Sequence, residues 1–253
     1  MSISIITVWF GLTCKFEAMG NIYQNIIKSK KRVVALLLDP DKETKYDIKH
    51  VLELANKSSV SLVLVGGSLV NSNIDEFVKT VKSNTSLPVL LFPGSALQFT
   101  SNADGILLLS LISGRNPEFL IGNHVQVSYK LKQSRIEVIP TGYILIESGG
   151  TTSVQYMSNT LPIPSTKPEI AAATALAGEQ LGLKLIYLEA GSGATNPVPT
   201  ELIQKVKSDI TIPLIVGGGL RSPEQIKSAF DAGADMVVVG NGIEGNPDLL
   251  KLI

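Results

Sequence analysis

Short aliphatic runs recur along the chain, each closed by Gly, Pro, Asp or Ser. They lie at 32–38, 61–66, 88–92, 105–110, 136–146, 184–189, 212–217 and 234–240. The runs are continuously apolar rather than alternating, which is the pattern of strands buried on both faces of a parallel sheet. Polar segments with helix signals separate most of them. In "SPEQIKSAFDAG" (222–233), Ser222 is placed to cap a helix and Pro223 suits its first position. Glu224 favours the first turn and Gly233 the C-terminal end.

Eight strands alternating with helices in about 250 residues predict an α/β fold, a (β/α)8 TIM barrel. A doubly wound open sheet remains the rival, because strand counting does not separate the two. The third unit is irregular: between "PVLLFPGS" and "GILLLS" only "ALQFTSNAD" is available, too short for a crossover helix. No repeat, low-complexity tract or domain boundary interrupts 19–253, so that span reads as one barrel domain. The longest irregular stretch, 147–168, has the length of a functional loop.

Composition narrows the function. The 22 basic and 22 acidic residues cancel and aromatics are only 6% of the chain. Both the electrostatic footprint and the stacking surface of a nucleic-acid binder are therefore missing. The single cysteine, Cys14, rules out an intrachain disulfide framework and suits a reducing compartment, so a cytoplasmic location is expected.

Glycine-rich segments close the last two strands: "VGGGLRSPEQ" after the seventh and "VVGNGIEG" after the eighth. Barrels commonly build a phosphate site from these two loops, where backbone N–H groups approach the anion closely. Gly217, Gly218, Gly219, Gly240 and Asn241 are the candidate ligands, and tight turns alone are the plainer alternative. "LLLDPDKE" ends the first strand, so Asp39 should project from the barrel mouth, where an acid binds a hard cation or acts as a base. Ser68, in "VGGSLV" after the second strand, is placed to join the same ion. A turn at Asp39 and a helix cap at Ser68 are the alternatives.

Glu189 stands at the end of the run Leu185–Leu188 and is followed by Gly191, Ser192 and Gly193. A half-desolvated acid there, beside loops stripped of side chains, is a candidate general base. Its plain alternative is a rim salt bridge. Tyr143 and Glu147 reach toward the same mouth, either as rim packing or as substrate contacts. His50 and His124 have no metal-ligand spacing around them and read as surface residues.

Taken together, "LLLDPDK", "VGGS", "LPVLLFPGS", "PTGYILIESGGTTSV", "YLEAGSGA", "IVGGGLRSPEQ" and "VVVGNGIE" resemble the geranylgeranylglyceryl phosphate synthase family, which includes the PcrB proteins. The likeness runs in order from about Asn21 to the C-terminus, in the flavour of the group with an added N-terminal helix. The resemblance implies a barrel modified at the third helix, matching the short third unit. It also implies a transferase of lipid biosynthesis that joins the C3 hydroxyl of sn-glycerol 1-phosphate to geranylgeranyl diphosphate. Asp39 and Ser68 would hold Mg2+, and Glu189 would be the catalytic base. Tyr187, Leu188, Glu189, Ala190, Gly191, Ser192 and Gly193, with Gly218, Gly219, Gly240 and Asn241, would hold glycerol phosphate. Where some relatives carry a phosphate-binding lysine this chain has Leu37; Arg221 is the candidate substitute or a plain exposed first-turn residue, and backbone amides with the helix dipole are the alternative. A homo-oligomer in transient contact with membranes is expected. A barrel isomerase, synthase or aldolase on another sugar phosphate, or a non-catalytic phosphate binder, is the alternative reading.

The opening "MSISIITVWFGLTC" is too short to span a bilayer and lacks a basic n-region. Met19 precedes a stretch with amphipathic helix character, so residues 1–18 read as a dispensable extension. Mass spectrometry of the native protein should find an N-terminus at or near Met19; recovery of Met1 or Ser2 would refute this.

Overall fold

Parallel pairing joins the first strand to the second, with a register shift between Val34 and Ala35, and also to the last, so the sheet closes on itself. The computed structural model describes residues 22–28, 32–45 and 47–252. The proposed extension 1–18, Cys14 and Met19 lie outside them. The strands are β1 (Val33–Leu38), β2 (Val60–Val65), β3 (Val89–Leu91), β4 (Gly105–Leu111), β5 (Glu137–Leu145), β6 (Leu185–Glu189), β7 (Leu214–Gly217) and β8 (Met236–Val239). All eight coincide with the apolar runs. Pairing of Val33 with Met236 and Leu36 with Val239 excludes the open doubly wound sheet.

The absence of alternation in those runs has a direct cause: each strand buries both faces. Val33, Ala35, Leu185, Tyr187, Ile215 and Val238 point into the barrel interior. Their neighbours Val34, Leu36, Ile186, Leu188, Val216 and Val237 point outward into a second apolar layer under the helices. That outer layer is roofed by α2 (Ile48–Asn56), α3 (Ile74–Asn84), α4 (Asn123–Gln133), α6 (Pro168–Gln180), α7 (Thr200–Asp209) and α8 (Pro223–Asp231). A π turn over Glu118–Gly122 leads into α4, and the short α5 (Ser153–Ser158) sits in the long loop after β5. The chain ends through α9 (Asn241–Gly245) and a 3-10 turn, Pro247–Lys251. Ser222 caps α8 as expected, its side chain accepting from Gln225 N.

Two features depart from a regular barrel. Between β3 and β4 an irregular strap replaces the third helix. The added α1 (Ile22–Lys28) closes the bottom of the barrel, where the Glu137 carboxylate accepts from Ile22 N and Tyr23 N. That contact satisfies two helix N-terminal amides and places negative charge at the positive end of the dipole. Ile22 joins the interior cluster below.

At the upper end the interior is filled unequally. Phe92, Tyr143 and Tyr187 stack there, with Tyr187 5.3 Å from each of the other two ring centroids. Gly66 and Gly217 occupy inward positions at the ends of β2 and β7. A Cβ on Gly217 would collide with the Tyr187 hydroxyl and lie 2.9 Å from its ring carbon Cζ. We expect Gly217→Ala to cost about 1–3 kcal/mol of unfolding free energy through overpacking. Adding Tyr187→Phe should return part of that loss, which urea unfolding of the single and double variants will read.

Candidate active site

Strand parity carries both acids to the mouth of the barrel. Glu189 continues the inward series Leu185, Tyr187, and Asp39 continues Val33, Ala35, Leu37 one step beyond β1. Both line one cavity of about 270 Å3, together with Ser68, Tyr143, Tyr187, Gly218 and Gly240. Away from the acids its wall is apolar and includes Ile106, Leu108, Leu109, Phe119 and Val127.

Glu189 is 5% exposed and its Oε1 accepts from Gly191 N at 2.6 Å. Burial pushes its carboxyl above the ordinary glutamate range, because charge is disfavoured away from water. The Gly191 amide and the phenols of Tyr187 and Tyr143 pull the other way without cancelling burial. Both phenols are themselves raised well above the usual tyrosine range, by burial first and then by the charge of Glu189, so they stay protonated donors. The Tyr187 hydroxyl is buried and lies toward Glu189, but it completes no well-formed hydrogen bond among the described residues. No salt bridge reaches Glu189 among the described residues, so the rim ion pair considered from the sequence is not formed.

The loops around this acid require glycine. Gly191, Gly193, Gly218 and Gly219 have φ of +102°, +80°, +82° and +73°, and successive amides in such conformations form anion-binding concavities. A side chain on Gly218 would also run into the Glu189 carboxylate and sit 2.7 Å from Gly191 N. Arg221 donates from Nη2 to Ala194 O at 2.7 Å, tying the β7 loop to the β6 loop beside the cavity. Leu37 presents methyl groups to the cavity against Gly240.

On the opposite rim, the turn after β1 brings Lys42 Nζ to 3.7 Å from Asp39 Oδ2. Gly67 lies against the Asp39 carboxylate, where a Cβ would be 3.1 Å from Cγ. Ser68 is half-buried on the cavity wall, and the α3 cap is Asn73, so the helix-cap reading of Ser68 fails. Among the described residues no cluster of three or more His, Cys, Asp or Glu could cage a metal. One carboxylate with a neighbouring hydroxyl nevertheless suits a hard cation that takes its remaining oxygens from phosphate and water.

The other sequence candidates divide cleanly. Tyr143 faces the cavity, whereas Glu147 is exposed and outside it. Leu188 and Ala190 turn their side chains into the outer apolar layer, so only their backbone faces the site. Gly217 is required by Tyr187 packing. The side chain of Asn241 lies outside the described set; its backbone opens α9. His50 is exposed, but reading His124 as a surface residue was incorrect. Its ring lines the cavity, with Nε2 2.8 Å from Leu109 O, because His124 shares the inward face of α4 with Val127 and Leu131. Lys42, Phe92 and Gln98 also line the cavity and were not singled out from sequence.

A dry acid, a second acid and glycine loops around one apolar cavity at the strand C-termini are the parts of a (β/α)8-barrel enzyme. The chain belongs to the PcrB family, whose family model matches residues 24–253. It is 51% identical over 88% of its length to geranylgeranylglyceryl phosphate synthase of Spirosoma linguale, covering 90% of that protein. It is 43% identical to the Pyrococcus furiosus synthase, over 85% of this chain and 86% of the relative. The structure of the Thermoplasma acidophilum synthase in complex with its substrate sn-glycerol-1-phosphate superposes with a TM-score of 0.83 at 31% identity, covering 91% of this chain and 93% of that one.

A raised native pKa at Glu189 means that folding favours the protonated acid. Stability from this group is full below the unfolded pKa and is lost as pH rises through the native one. Glu189→Gln should therefore raise the melting temperature near neutral pH, with the gain shrinking to nothing as pH falls below the ordinary carboxylate range. Thermal unfolding across pH checks this; no gain near neutrality would show that the charge is not desolvated.

Proposed function

We propose that the chain is a Mg2+-assisted prenyltransferase making an ether-lipid precursor. The C3 hydroxyl oxygen of sn-glycerol 1-phosphate bonds to C1 of geranylgeranyl diphosphate, the C1–O bond to diphosphate breaks, and Glu189 takes the hydroxyl proton. The observation that carries this reading is the placement of Glu189: buried, inward-facing, and flanked by positive-φ glycines in a cavity that also holds Asp39.

The glycerol phosphate is held by the segment Tyr187–Gly193 and by Gly218, Gly219, Gly240 and Asn241, through backbone amides. Arg221 supplies a cation at the position beside these loops, compensating for Leu37. Desolvation makes Glu189 a stronger base than an exposed glutamate, which suits acceptance of a hydroxyl proton as positive charge grows on the prenyl carbon. The ring faces of Tyr143, Tyr187 and Phe92 offer quadrupolar stabilisation to that charge. Asp39 and Ser68 would hold Mg2+, which when bound neutralises the diphosphate and eases its departure. The apolar wall of the cavity takes the prenyl tail. Entry of a lipid substrate implies transient membrane contact; among the described residues no helix is long and apolar enough to cross a membrane.

Radiolabelled sn-glycerol 1-phosphate should yield an ether product when incubated with Mg2+ and prenyl diphosphates of graded length. Geranylgeranyl diphosphate is the expected best donor. Glu189→Ala should lower turnover by more than about 10²-fold. No product with any chain length would reject the reaction, and full activity of Glu189→Ala would reject the base.

A further inference from the structure

The strap between β3 and β4 is held by side chains rather than by helical hydrogen bonds. Gln98, 4% exposed, is its central fastener. Its Nε2 donates to Gly67 O at 2.8 Å, and its Oε1 accepts from Gly94 N at 3.2 Å and more loosely from Gly67 N at 3.4 Å. Farther along, Thr100 and Asn102 both donate to Asp75 Oδ1 on the first turn of α3. The strap is thus locked to the loop that follows β2.

That loop belongs to the Asp39 side of the cavity. Gly67 lies against the Asp39 carboxylate, and Gly94 packs so tightly on the loop that a Cβ there would be 2.9 Å from Ser68 O and closer still to Gly67 O. From the other side the Asp41 carboxylate accepts from Asn71 N at 2.9 Å and Ser72 N at 2.8 Å. Residues 66–72 are therefore clamped between the turn after β1 and the strap after β3. Only a side chain that both donates and accepts can serve Gly67 O and Gly94 N together, and a neutral amide does so without adding charge beside Asp39.

We propose that Gln98 is a positioning residue for the diphosphate and cation end of the site. It fixes Gly67 and Gly94 so that Asp39 and Ser68 face the cavity in a set relation before any ligand arrives. The strap thereby does work that a third helix would not. This rests on the assignment of the Asp39 rim to the diphosphate. Among the described residues none of Gln98's hydrogen bonds goes to the loops after β6, β7 or β8, so its effect is confined to one of the two substrates.

The test is Gln98→Leu, which keeps bulk and removes both hydrogen-bonding functions, alongside Gln98→Glu, which keeps the acceptor and turns the donor into a repulsion against Gly67 O. Calorimetric binding of inorganic diphosphate with Mg2+ should weaken about 10- to 100-fold in Gln98→Leu, the usual range for loss of a group that orients metal ligands. The KM for the prenyl diphosphate should rise in parallel while that for glycerol 1-phosphate stays put. Gln98→Glu, which loses the donor and adds a buried charge beside Asp39, should weaken binding at least as far as Gln98→Leu. Equal rises in both KM values, or unchanged diphosphate binding, would overturn the proposal. Should the variants fail to fold, hydrogen exchange of the ligand-free wild type decides: the Gly67 and Gly94 amides must be protected, and unprotected exchange overturns the clamp. A wild-type protein that binds magnesium diphosphate but transfers no prenyl group would defeat the proposed reaction and leave the clamp standing.

Discussion

Burying the Glu189 carboxylate at the mouth of a closed barrel costs desolvation that the 2.6 Å hydrogen bond from Gly191 N only partly returns. Much of the surrounding structure follows from accommodating that group. Gly218 is glycine because a side chain would occupy the carboxylate's place, and Gly191 is glycine because its φ of +102° turns the amide back onto the acid. A Cβ on Gly191 would also strike Thr152 in the loop after β5. Two strand ends and two loops thus converge on one charge. The arrangement holds a group whose charged form the fold disfavours, which is the condition for a base that gives up little of its strength to water.

The fold was largely legible because period two and burial are the same fact in a parallel barrel. Runs without alternation announced strands covered on both sides, and the parity of Leu185, Tyr187 and Glu189 already set the acid inward. The short third unit was visible as a missing helix. What replaced it was not, since Gln98 acts through contacts to Gly67 and Gly94 that no local pattern encodes. Tyr143 shows the same limit. Its role depends on the β5–β6 register that pairs it with Tyr187, and register is a property of two strands. His124 was misplaced for a different reason: the lack of metal-ligand spacing says nothing about exposure, and its position one turn before Val127 and two before Leu131 sets it on the buried face of α4.

The unequal filling of the mouth has a functional logic. Aromatic rings from β3, β5 and β6 fill one part of the upper interior, and glycines at the ends of β2 and β7 keep another part free of side chains. A barrel with bulky residues at every inward position would be packed shut at this level. In the proposed reaction the rings would form a dry, quadrupolar wall beside Glu189, and the glycines would admit anions to backbone amides. The same substitution pattern therefore provides both stability and access.

The two rims solve opposite electrostatic problems. Around Gly191, Gly218 and Arg221, backbone dipoles and a guanidinium can meet a phosphate directly. Across the cavity stands Asp39, and a carboxylate facing a diphosphate is repulsive. Two unit charges 4 Å apart interact by roughly 4 kcal/mol at an effective dielectric of 20, and a diphosphate carries more than one charge. Lys42, at 3.7 Å from Asp39 Oδ2, offsets only part of this. An acid at that place makes sense when a divalent cation stands between it and the phosphates, because attraction to both then replaces repulsion between them. Such a cation demands oxygens held at fixed angles. A rim made of loops meets that demand only if those loops are fastened, which is what the Asp41 and Gln98 contacts on either side of residues 66–72 provide.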